Sequence, residues 1–140
     1  MSGERVEAIK RRARVFLELA KELLTRNILD IASFNIHQAC QLRLKATLLR
    51  LRGTIPRIHG IRELIGLLTN TLDELEFKHV AEKIRKFVRE RRETLIDIES
   101  AYTESRYSIA VPTANSVKNM FEIAEKLFKL LDEVEENVLG

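Results

Sequence analysis

Four polar side chains with chemical potential stand in one row in the first third of this chain: Ser33, His37, Gln41 and Lys45. They are spaced four residues apart, which at helical pitch stacks them along one stripe, with Gln38 at its margin. An imidazole can relay a proton, an amide can hydrogen-bond in both directions, and an ammonium can hold an anion. Around the stripe, residues 33–46 are apolar on their other sides and lack the alternation of a strand. A helix apolar nearly all round is buried in the middle of its domain. Its polar groups must then be satisfied by a neighbouring helix, a second subunit or a ligand.

A second polar set lies further along. Arg106 stands in a stretch rich in Tyr and Ser, between Tyr102 and Tyr107. A guanidinium there could fork onto a phosphate while a tyrosine ring stacks on a base. His59 could touch the same ligand. Each residue has a plainer reading beside this one. His37 could be a hydrogen-bonded core histidine, Lys45 could snorkel to the surface, and Arg106 and His59 could cap helix ends. Other chemistry is missing. His37, His59 and His79 fall on different elements, and neither His-x-x-x-His nor Cys-x-x-Cys occurs, so no metal site is expected. No glycine-rich phosphate loop and no arguable Ser/His/Asp order are present, and no cofactor is implied.

The elements that must position these residues are helical. The chain has 140 residues, enough for one domain with a single core, here expected over residues 1–140. Apolar residues make up 45% and charged residues 32%, which excludes disordered and membrane-embedded classes. The net charge of +3 permits a nucleic-acid partner without demanding one. Cys40 is the single cysteine, so no intramolecular disulfide forms, and a small buried hydrophobe is its expected role. With no leader and no apolar run long enough to span a bilayer, a cytoplasmic location and no membrane contact are expected.

Apolar spacing of three and four predicts a first helix over residues 4–26, whose first half is basic (Arg5, Lys10, Arg11, Arg12, Arg14). Asp30 is placed to cap a central helix that ends at Gly53. A short third helix follows over 60–69. Thr71-Leu72-Asp73-Glu74 has capping-box spacing and is expected to start a fourth helix reaching Tyr102. Lys83 to Arg92 forms a cationic patch with interleaved Glu, most simply a solvated face. Residues 103–112 do not scan as helix, and a last helix begins near Thr113. The expected fold is all-α: an up-and-down bundle of four long helices and one short one.

Three segments taken in order carry a resemblance. They are His37-Gln38-Ala39-x-Gln41-Leu42-x-Leu44-Lys45-Ala46, then Pro56-x-x-His59-x-Ile61-x-Glu63-Leu64, then Tyr102-x-x-x-Arg106-Tyr107. Together they resemble the HEPN domain family, from the first helix to the Ala124-Glu125-Lys126 region. The resemblance implies a helical bundle, commonly a homodimer, in prokaryotic defence and toxin–antitoxin settings, often encoded beside a minimal nucleotidyltransferase. Nucleotide binding is the role first proposed for that fold. The chain has Gln41 where the family usually has Glu, and Ser108 where it usually has Pro after the Arg-Tyr pair.

Many HEPN proteins are metal-independent ribonucleases that use an Arg and a His with four to six residues between them in the C-terminal part of the domain. Here no histidine follows His79, so Arg106 lacks such a partner. Arg52 and His59 have the spacing, but in the loop after the central helix. The sequence therefore leads to a HEPN protein that binds a nucleotide or RNA-like ligand beside a nucleotidyltransferase partner, with the balance against catalysis. Lys45 and Arg106 would hold phosphate, Tyr102 or Tyr107 would stack, and His37, Gln38, Gln41 and His59 would complete the site. The alternatives are an endoribonuclease toxin using Arg52 and His59, and a dimerising module in which the stripe only orders an interface.

Overall fold

A computed structural model describes residues 2–140, and all regular structure among them is helical. The helices are α1 (Ser2–Thr25), α2 (Leu29–Arg52), α3 (Ile61–Glu74), α4 (Lys78–Glu90), α5 (Arg92–Tyr107) and α6 (Ala114–Leu139). The central position of α2 follows from its composition: Ile36, Ala39, Cys40, Leu44 and Leu48 point to several sides and none retains exposed surface. It packs against α1, α3, α5 and α6, while α4 closes the bundle against α3, α5 and α6. Gly53 ends α2 in the left-handed region at φ 82°, and its N–H bonds the Leu49 carbonyl at 2.8 Å. Thr113 caps α6 by accepting from the Ser116 N–H at 3.1 Å. No helix among the described residues is long and apolar enough to cross a membrane.

The all-α bundle agrees with the sequence expectation, but there are six helices among the described residues instead of five and several boundaries differ. The Thr71–Glu74 capping box does not start a helix. It forms the last turn of α3, where Thr71 Oγ1 donates to the Leu67 carbonyl at 2.7 Å. Leu68 and Leu72 extend the apolar spacing of α3 into the core, both fully buried, and that burial outweighs the local cap. Glu76, at φ 67°, then turns the chain into α4.

The expected long fourth helix is two helices, broken at Arg91 (φ −129°, ψ 25°). The turn from Arg89 to Arg92 has no apolar residue to anchor it to the core. Arg91 instead lays its guanidinium over the Phe87 ring, 4.5 Å from the centroid. The α5 helix continues to Tyr107, so only residues 108–112 of the expected irregular stretch are non-helical. Asp30 lies inside the first turn of α2, accepting from the Ile31 N–H at 2.9 Å, and the cap position belongs to Ile28.

Candidate functional site

Three elements converge on one cavity of about 550 Å³. From α2 comes His37, from the loop before α3 come His59 and Gly60, and from α5 come Glu99 and Tyr102. Arg62 and Glu63 in the first turn of α3, with Thr103 of α5, complete the wall. The ring of Tyr102 joins the set. Its centroid is 4.8 Å from that of His37 and 6.0 Å from that of His59, with the His59 ring nearly parallel at 5°. Phe34 stacks on it more distantly, at 6.3 Å.

His37 is buried, with its Nδ1 3.2 Å from Gln38 Oε1 and a further hydrogen bond to the His59 backbone. Burial lowers its pKa below the ordinary 6.5, and this outweighs the hydrogen bonds and the nearby Glu99 carboxylate. The ring is therefore neutral at physiological pH. His59 is exposed, and its Nδ1 lies 3.4 Å from Gln41 Oε1. The other amide atom, Gln41 Nε2, is buried without a hydrogen-bond partner among the described residues. Leaving such a group unpaired costs roughly 1–3 kcal/mol.

The cavity carries two carboxylates. Glu99 accepts from Arg62 Nε at 3.1 Å and Nη2 at 2.9 Å, and from the Arg62 backbone N–H at 3.2 Å. It thereby satisfies one of the open amides at the α3 N-terminus. No described cation pairs with Glu63. A Cβ built on Gly60 would fall 2.8 Å from Glu63 Oε1 and 3.3 Å from Glu99 Oε1, so the absence of a side chain there admits both carboxylates. With Arg62 committed to Glu99, the cavity is negative on balance. It suits a planar group bearing N–H donors better than it suits a phosphate.

The expected residues separate into two groups. His37, His59 and Tyr102 line the cavity, with Gln38 and Gln41 in contact with its imidazoles. Lys45, Arg106 and Tyr107 do not line it. Lys45 is buried further along α2 with no ion pair to a described residue, and burial lowers its pKa. Arg106 lies against three rings, with Cζ 4.4 Å from the Tyr102 centroid, 5.0 Å from that of Tyr107 and 5.6 Å from that of Phe34. Its Nε donates to the Tyr102 carbonyl at 2.7 Å, which leaves both terminal nitrogens directed elsewhere. Tyr107 is 74% exposed. Arg52 donates to Thr71 Oγ1 at 3.0 Å, while His59 faces Tyr102 and Gln41, so the two residues with ribonuclease spacing are held by different partners. Among the described residues no cluster could hold a metal ion.

Sequence reasoning missed Glu99, Arg62 and the role of Glu63. Glu99 sits three residues before Tyr102, hence on its face of α5, which was the available signal. It also missed a buried ion network on the opposite side of α2. Glu135 of α6 is 3% exposed and receives Lys10 at 2.7 Å, Arg50 at 2.9 Å, Arg43 at 3.0 Å and the Thr47 hydroxyl at 2.7 Å. Arg43 also reaches Asp132 at 2.7 Å. Burial alone would raise the Glu135 pKa, but the bonds from Lys10 and Thr47, with the Arg43 charge and Arg50, bring it down to about 2. Its position one turn after Leu131, on the buried stripe of α6, marked it as a charge in the core.

The fold and site define an all-α bundle protein whose central helix presents polar groups to an aromatic, acid-lined cavity. The family model for the HEPN domain matches residues 6–134, and the chain belongs to that family. No curated protein matches it.

Proposed function

We propose that this HEPN protein binds a nucleotide, with the base in the His37–His59–Tyr102 cavity. The observation that carries the reading is Tyr102. One ring contacts both imidazoles and the Arg106 guanidinium, at the wall of a cavity that also holds Glu63 and Glu99. A base entering beside these rings gains stacking worth about 1–3 kcal/mol. The Glu63 carboxylate accepts from an amino-bearing edge, as offered by adenine, cytosine or guanine, and Arg106 offers its free terminal nitrogens to phosphate. The family resemblance supports the wider setting: a homodimer acting beside a nucleotidyltransferase in a toxin–antitoxin or defence system.

Calorimetric titration with ATP, GTP and UTP tests the reading. Saturable binding is expected, stronger for ATP and GTP than for UTP. It should be lost in Tyr102→Ala and weakened roughly tenfold in Glu63→Gln, as for removal of one charge-assisted hydrogen bond. No heat with any nucleotide, from protein whose helical signal is intact, removes the support.

A further inference from the structure

Beyond the cavity, Arg62 also borders a second feature. Two adjoining concavities of about 300 and 200 Å³ run between α3 and α4 and on to the start of α5. Arg62, Arg85, Arg89 and Arg92 line this groove over an apolar floor that includes Ile65 and Val88, and no carboxylate lines it. Two of the arginines are already engaged from outside the groove: Arg62 by Glu99, and Arg85 by Asp73 and Glu82. Arg89 and Arg92 are exposed and have no ion pair to a described residue. Arg89 lies in the last turn of α4 and Arg92 opens α5, on either side of the break at Arg91. Gly66 leaves the floor open, with nothing within 4 Å of a Cβ built on it.

The geometry points to a phosphate-backbone track for single-stranded RNA, in which Arg89 and Arg92 hold successive phosphates of a strand whose base occupies the adjoining cavity. The inference rests on the nucleotide-binding reading for the base and on the groove alone for the strand. A row of arginines over an apolar floor, next to a site lined with stacking rings, matches the alternation of charge and π-surface that a single strand presents. A duplex, whose bases are already paired, could not offer one to the cavity.

The test is fluorescence anisotropy of the full chain with a short labelled single-stranded RNA across a salt series, beside calorimetry with GTP. A single strand loses about 0.7 of log K per log salt for each phosphate neutralised. The Arg89→Gln/Arg92→Gln variant should therefore flatten the slope by about 1.4 and weaken RNA binding about 25-fold at 0.1 M salt. Its GTP affinity should not change. Both residues are exposed, so the fold should hold, and Arg89→Lys/Arg92→Lys should restore most of the slope. RNA binding that is absent, or unchanged in slope and strength in the Gln variant, overturns the track even if GTP binds. Equal competition by polyglutamate overturns the nucleic-acid assignment in favour of an acidic protein segment. RNA binding that depends on the arginines without any GTP binding keeps the track and removes the base cavity.

Discussion

Glu135 lends itself to a quantitative prediction, because a buried carboxylate shared by three cations must leave its mark on acid stability. The folded protein draws this carboxyl from the ordinary 4.5 to about 2. At about 1.4 kcal/mol for each tenfold change in proton affinity, the network contributes roughly 3 kcal/mol near neutral pH. The sign follows from the direction. A depressed carboxyl pKa stabilises fully above the unfolded value, and the contribution is lost as pH falls from about 4.5 towards 2. Glu135→Gln removes the charge at every pH and leaves Arg43, 2% exposed, with Asp132 as its remaining acidic partner. The variant should thus be about 3 kcal/mol less stable at pH 7, a loss of roughly 10 °C in Tm for a chain of this size. Urea unfolding of both proteins from pH 7 to pH 2 measures this, and the two curves should converge at the acid end. A gap that stays constant with pH, or that is under about 1 kcal/mol at pH 7, would refute the reasoning.

Three further outcomes follow from individual environments. The neutral form of His37 is favoured by burial, so its NMR titration midpoint should lie below 6.5, and its contribution to stability should fall as pH drops through that value; a midpoint at or above 6.5 would contradict the cavity geometry. Cys40 is fully buried and its thiol is pushed up to about 12, so native protein should resist alkylation at neutral pH and label only at the rate of unfolding. Rapid labelling would show that α2 is not the centre of the core. Gly53→Ala should cost about 1 kcal/mol in urea unfolding, because φ 82° strains any side chain although nothing obstructs a Cβ there; an unchanged midpoint would mean the end of α2 readjusts.

Several features of this protein are local properties and were legible in the residues alone. The 3.6 periodicity of residues 4–26 and 113–138 gave α1 and α6, the left-handed preference of glycine placed the end of α2 at Gly53, and the all-round apolarity of residues 33–46 placed α2 in the centre. The stripe His37, Gln41, Lys45 and the loop residue His59 were visible as candidates because helical pitch is known in advance. What packs against each face of a helix is not a local property. Whether Thr71 begins a helix or ends one depended on Leu72 finding the core, and the break at Arg91 depended on a turn that found none. Glu63 and Arg62 meet His37, Glu99 and Tyr102 only because α3 and α5 converge on α2, across intervals of sequence that carry no spacing signal. The same holds for Arg43 and Glu135, far apart in the chain and 3.0 Å apart in the fold. Secondary structure follows from the backbone and its nearest neighbours, whereas the charge of a cavity is summed over whatever segments tertiary packing brings to its wall.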